Sequence, residues 1–231
     1  LGSDLLFKEQ ELIAGQKLIT KLWNASRFAI TNLEDYKNKK VKLVPFDSWL
    51  LIKLNTTIKE VIRFYLNYDI ANARKELENF FWNTFCNNYL EIIKKRLYEP
   101  KNTQEKKSAQ FTLYFSLLTI LKLFAPIMPF ITEEIYQLYF KKYEKTKSIH
   151  LANFPKYESK LINLKLEKEG DEFIDIISKV RQFKTSNHKP LKEEIILTLP
   201  VKYKNSSFLS DLKSVTSAKE INFDKELNIK L

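Results

Sequence analysis

Over most of the first 184 residues, apolar positions recur three and four apart, the spacing of helices that bury one face. The first such segment covers residues 8–32. At about 100° per residue, Leu12, Ile19, Leu22, Trp23, Ser26, Ala29, Ile30 and Leu33 gather on one side, which is expected to face the core. Gln10, Lys17, Lys21, Asn24 and Phe28 gather on the other. A lysine-rich turn at 36–42 should end this helix before Pro45. Asp47 is placed to cap a second helix carrying Trp49, Leu50, Leu54, Ile58, Val61, Ile62 and Tyr65, and Asp69 to cap a third. The third, running to about residue 97, has a wide aromatic stripe of Leu77, Phe81, Trp82, Phe85, Tyr89, Ile92, Ile93 and Leu97 and should be central.

A turn at 99–103, with Thr103 as cap, leads to a fourth helix over 104–124. Pro126 and Pro129 must break or kink it, because proline lacks the backbone donor a helix needs. Thr132 can cap the segment beyond, with Glu133 and Glu134 in its first turn, ending near 140 before a charged loop at 141–147. A fifth long helix is expected over 159–184. After Pro190 the pattern changes: 195–199 reads as a buried strand, 207–216 as a short helix, and Ile221 and Phe223 as an edge strand. The fold class is therefore mainly α, a helical bundle over 1–158. It is followed over 159–231 by a long helix and a small α+β unit, joined through the lysine-rich linker 184–192.

Composition narrows the chemistry. With 231 residues and 44% hydrophobic content the chain can bury a real core. Three glycines and no GxGxxG or GxxxxGK[ST] string exclude the glycine-rich phosphate cradles. One cysteine, Cys86, excludes an internal disulfide framework and a cysteine-built zinc site, and fits a reducing compartment. The two histidines, His150 and His188, stand far apart, so no metal site is expected. No signal peptide and no apolar run near the ~20 residues that cross a bilayer is present, so a cytoplasmic location without membrane contact is expected. The net charge of +11 favours a polyanionic partner, although a lysine-rich genome would leave the same mark.

Lys21-Leu-Trp-Asn-Ala-Ser-Arg-Phe28 sharpens that preference, since an aromatic ring a turn or two from lysines and an amide can stack an unpaired base while the cations neutralise its phosphates. Phe28 packing on a neighbouring helix is the equal alternative. Trp23, Trp82 and Phe85 are assigned to the core, Cys86 to a small buried apolar role. Glu133 and Glu134 point about 100° apart on a helix, which suits dipole pairing better than paired acid–base work. Residues 141–147 and 184–192 are either RNA-backbone contacts or solvated loops.

Three strings, Lys21-Leu-Trp-Asn-Ala-Ser-Arg-Phe28, Phe80-Phe-Trp-Asn-Thr-Phe-Cys-Asn-Asn-Tyr-Leu-Glu91 and Ala125-Pro-Ile-Met-Pro-Phe-Ile-Thr-Glu-Glu-Ile-Tyr136, together resemble the anticodon-binding domain of class I aminoacyl-tRNA synthetases. The second is similar to the valyl members of that family in particular. Asp47-Ser-Trp-Leu50, Ser148-Ile-His-Leu151 and Lys179-Val-Arg-Gln182 follow in the family's order, so the likeness covers most of residues 1–190. It implies a helical bundle that holds the anticodon stem-loop of valine tRNA as a monomeric unit, reading the middle adenine and third cytosine. Neither the HIGH nor the KMSKS signature occurs in this sequence, so the resemblance implies a non-catalytic piece of a longer valine-tRNA ligase. ATP would be used by the absent catalytic domain, and no cofactor by this piece. Carried over by position, the family's anticodon contacts fall on Lys21, Arg27, Phe28, Leu90 and Glu91, with Lys17 and Asn24 on the same helical face as Lys21. Gln10 stands where some members carry arginine and can still hydrogen-bond without the charge. The isoleucyl or leucyl branch, or a helical protein-interaction module with an incidental basic face, are the alternatives.

Overall fold

The computed structural model describes residues 9–37, 41–99 and 103–231. Parts of the turns expected at 36–42 and 99–103 lie outside them. Helices α1 (Glu9–Thr31), α2 (Pro45–Leu66) and α5 (Gln104–Phe124) form the frame. Between α2 and α5 runs one unbroken helical rod: α3 (Ile70–Asn79), a π-helical stretch (Phe80–Tyr89) and α4 (Leu90–Tyr98). Asp69 and Thr103 cap α3 and α5 as expected, accepting from Asn72 N and Lys106 N.

The π stretch has a cause in the sequence. Phe81, Phe85, Tyr89, Ile93 and Leu97 repeat every four residues, and all are buried. In a regular 3.6-residue helix such a stripe drifts by about 40° per step, out of the core. Widened turns take up the excess and keep the stripe facing α2 and α5. Phe81, Phe85 and Tyr89 stack in sequence, with centroids 6.2 Å apart at each step.

Asp47 does not cap α2. Val44 occupies that position, and Pro45 starts the helix. Asp47 instead points inward, where Tyr89 Oη donates to it at 2.8 Å, Arg96 at 2.8 and 3.0 Å, and Ser108 Oγ completes the shell. A carboxylate with this many donors and a guanidinium partner satisfies its charge better inside than at a solvent cap. The phase of α1 also differs. Leu18, Leu22, Ala25, Ser26, Ala29 and Leu33 are buried, whereas Leu12, Ile19 and Trp23 are 61%, 44% and 38% exposed. At 100° per residue the buried stripe is rotated by roughly 60° from the expected one, because small Ala25 and Ala29 let α1 approach its neighbours closely.

After α5, Ala125–Met128 turn the chain into α6 (Pro129–Ile135), five residues in π geometry (Tyr136–Phe140) and α7 (Lys141–Glu144), which extends helix into the expected charged loop. Met128 precedes α6, so Thr132 is no cap; its hydroxyl is buried and bonds back to Met128 O at 2.8 Å. Glu133 does not serve the dipole either. It accepts from Ser148 Oγ at 2.8 Å and Ile149 N at 3.0 Å, stapling the following loop to α6.

Asn163 caps α8 (Leu164–Ser186), later than the expected start at 159. α8 crosses α2 at Gly170, where an added Cβ would stand 2.2 Å from Trp49 Cδ1. Trp49 Nε1 donates to Asp171 there at 2.9 Å. The last unit holds β1 (Ile195–Pro200), α9 (Leu209–Val215), β2 (Ala218–Asp224) and β3 (Asn228–Lys230). β1 is central, parallel to β2 and antiparallel to β3. Its alternate residues Ile195, Leu197 and Leu199 are buried. Phe208 carries this unit onto the bundle, 4.7 Å from Phe46 and 5.2 Å from Phe173 between ring centroids. Among the described residues no helix is long and apolar enough to cross a membrane, and no cluster of three metal-ligating side chains occurs.

Candidate nucleic-acid interface

The polar stripe of α1 borders the π stretch at Trp82, with Gln10, Lys17 and Asn24 exposed and Lys21 and Phe28 half-buried. Lys21 Nζ lies 5.1 Å over the ring centroid of half-buried Trp82, a cation–π contact. Lys17, Lys21, Asn24 and Trp82 line one shallow recess of about 350 Å³. Trp82 is thus not wholly core: the π turn lifts it out of the stripe that holds Phe81 and Phe85.

On its other side Lys21 opens on a larger cleft of about 600 Å³, between α4, α8 and the turn before β2. Glu91 stands on this cleft, exposed, its oxygens 2.6 and 2.7 Å from Lys94 Nζ. So exposed an ion pair contributes little and yields readily to a ligand. The apolar floor is Ile92, Ile177 and Val180. Arg181 and Lys192 face Glu91 from the α8 side. Cys86 borders the same space but is buried, its thiol pushed up to about 12 by desolvation against the opposing charge of Lys21, so it holds no thiolate near neutrality.

The α8 wall is fixed by one residue. Lys184 is fully buried, and its ammonium donates to Leu191 O at 2.9 Å, Glu193 O at 2.7 Å and Thr216 O at 2.7 Å. All three of its donors are used. Burial lowers its pKa, with Glu193 opposing. Lys184 is therefore neither a solvated linker residue nor an RNA contact; it ties the linker and the β2 turn to α8.

These features match a known family. A sequence profile described as the anticodon-binding domain of tRNA ligase matches residues 47–200. The chain belongs to that family. It is 38% identical over 251 residues to the valine–tRNA ligase of Rickettsia prowazekii (strain Madrid E), covering 100% of this chain and 30% of that protein. It is 37% identical over 232 residues to the valine–tRNA ligase of Ehrlichia canis (strain Jake), covering 99% of this chain and 29% of that protein. The chain thus spans about 30% of the length of such relatives.

Within this anticodon-binding domain, the sequence-derived site residues separate into groups. Lys21 and Glu91 share the cleft, and Lys17 and Asn24 join Lys21 at the Trp82 recess. Gln10 is exposed and is the second residue of α1. Phe28 is half-buried and packs against the core, so only part of its ring is accessible. Arg27 is exposed but lines a separate recess of about 280 Å³ with Trp23, Ile30 and Leu138, on the far side of α1 from Lys21. Leu90 is 7% exposed, with its side chain in the core. Trp82 and Arg181 were not singled out from the sequence as site residues, and Lys192 only as part of the 184–192 segment left between RNA contact and solvated loop. The four-residue aromatic repeat was a signal for Trp82, whereas the string Lys179-Val-Arg-Gln182 gave Arg181 a family likeness but no role, because the cleft exists only once α8 and the C-terminal unit pack on α4.

Proposed function

We propose that this domain reads the anticodon loop of valine tRNA as part of a longer valine–tRNA ligase. The observation that carries the reading is similarity to valine–tRNA ligases along the full chain, combined with the placement of Lys21 and Glu91 on one nucleotide-sized cleft. A carboxylate accepts from the exocyclic amine of cytosine, and a lysine beside it neutralises a phosphate or reaches a base edge. Trp82 under Lys21, and the accessible part of Phe28, supply apolar surface for an unstacked base. The domain binds as a monomer and contributes selection of the tRNA. Amino-acid activation with ATP and acyl transfer belong to the rest of the enzyme, which works in the cytoplasm.

Titration of the chain with the valine anticodon stem-loop, beside a loop with the middle and third anticodon bases exchanged, tests this at two salt concentrations. Preference for the valine loop at both supports the proposal. Equal affinity for both loops, falling steeply with salt, would reduce the domain to a basic surface that adheres to RNA.

A further inference from the structure

Among the described residues, Arg181 is compensated less than Arg96, the other guanidinium that is at least half-buried. It is half-buried on α8, and the hydrogen bond recorded for it runs from Nη1 to Asn88 Oδ1 at 2.9 Å, a neutral amide. Among the described residues no carboxylate approaches it to ion-pair distance. Arg96, by contrast, buries its charge against Asp47 and Asp211. Desolvation lowers the pKa of Arg181, with Glu91 opposing across the cleft, yet a guanidinium stays charged at any physiological pH. A desolvated cation with spare N–H donors in a planar fork is matched by an oxyanion that accepts two parallel hydrogen bonds.

The surroundings are built to hold such an anion. Lys184, three residues along α8, fixes the linker and the β2 turn through its three carbonyl partners, so the wall behind Arg181 is in place before any ligand arrives. Lys192 and Lys95 add positive charge at the rim. Opposite stands Glu91, whose exposed partner Lys94 is easily surrendered. The cleft thus presents a cation on one wall, a hydrogen-bond acceptor on the other and an apolar floor between them. A nucleotide has the complementary order, with an anionic phosphate at one end, a base edge at the other and flat apolar faces between. A cleft of about 600 Å³ falls within the range of sites that enclose one small ligand.

We propose that Arg181 binds the backbone phosphate of a single unstacked nucleotide in this cleft, so that α8, together with the C-terminal α+β unit packed beside it, forms one wall of the RNA site. This rests on the anticodon-reading proposal and extends it beyond the helix pair that carries Lys21 and Glu91. The C-terminal unit is then part of the recognition surface as well as a stabilising appendage.

The test uses the full chain with the valine anticodon stem-loop and a set of loops each carrying one neutral methylphosphonate in place of a phosphate. Arg181→Gln and Arg181→Lys are compared with the unaltered chain at several salt concentrations, with thermal midpoints recorded. Arg181→Gln is expected to weaken binding about tenfold, the order of one charge-assisted contact. It should also flatten the slope of log affinity against log salt by about 0.7. One methylphosphonate should weaken the unaltered chain and have no further effect on Arg181→Gln, while Arg181→Lys retains part of the salt slope. The proposal is overturned if Arg181→Gln binds with unchanged affinity and slope. If the Gln variant unfolds, the methylphosphonate series on the unaltered chain decides, and a series in which no single position matters overturns it. Failure of the unaltered chain to prefer the valine loop would instead count against the anticodon reading, and a surviving Arg181 effect there would leave the phosphate site standing alone.

Discussion

Asp47 and Arg96 meet as a bidentate pair, Nη1 2.8 Å from Oδ2 and Nη2 3.0 Å from Oδ1, with the carboxylate fully sealed from solvent. The pair joins α2 to α4, Ser108 brings in α5, and Arg96 Nε reaches Asp211 of α9 at 3.1 Å, an ion-pair contact without hydrogen-bond alignment. One charge cluster therefore links the bundle to the C-terminal unit, which is the unit that closes the cleft.

Removing one partner of such a pair strands a buried charge. Asp47→Ala is expected to destabilise the fold by about 3–5 kcal/mol, since Arg96 keeps only Asp211 and Tyr89 loses its acceptor. Urea unfolding followed by circular dichroism measures this, and a loss below about 1 kcal/mol would show that the cluster is solvated rather than sealed.

Asp211 carries the cost of that arrangement. Burial pushes its carboxyl up to about 6, and Arg96 only partly offsets this. With the folded pKa above the ordinary value, its contribution to stability is greatest below about pH 4 and is lost as pH rises through about 6. Asp211→Asn, which mimics the protonated form, should therefore raise the thermal midpoint at pH 7.5 and leave it nearly unchanged at pH 4. Glu133 and Glu172 are held below the ordinary carboxylate range and act in the opposite sense, so the difference between variant and parent isolates Asp211. A variant less stable than the parent at pH 7.5 would contradict the assignment.

Two helical glycines should respond oppositely to alanine. At Gly15 nothing lies within 4 Å of an added Cβ, so Gly15→Ala is expected to stabilise by about 0.5–1 kcal/mol through helix propensity. At Gly170 the added Cβ would collide with Trp49, and the overpacking, about 1–3 kcal/mol, outweighs the same gain. Paired urea midpoints check both signs.

Much of this was legible in the amino-acid order. Asp69 and Thr103 cap where the periodicity places them, the proline pair ends α5, and the strand, helix, strand order of the tail stands, with β3, too short to show a pattern, added beyond it. The errors share one physical source, competition between local signals and tertiary partners. Asp47 reads as a cap until Tyr89, Arg96 and Ser108 converge on it from residues 42 to 61 positions away. Trp23 reads as core because it is large and apolar, but the alanines at 25 and 29 set the phase of α1. The site divides the same way. Lys21 and Glu91 were named from likeness and helical phase and line one cleft, whereas Arg181 lies 90 residues from Glu91 along the chain and comes to that cleft only through the packing of α8.

The central claim is that the cleft holding Lys21 and Glu91 discriminates anticodon bases, and Glu91→Gln tests it most directly. The variant should be titrated against valine stem-loops that differ only at the third anticodon base. Glutamine keeps the shape of the side chain, removes its charge and gives up an exposed ion pair of little value, so the fold should be unaffected. The account predicts that preference for cytosine over the other bases at that position falls by about tenfold, while discrimination at the middle base is retained. Unchanged preference for cytosine in a folded Glu91→Gln chain would contradict it.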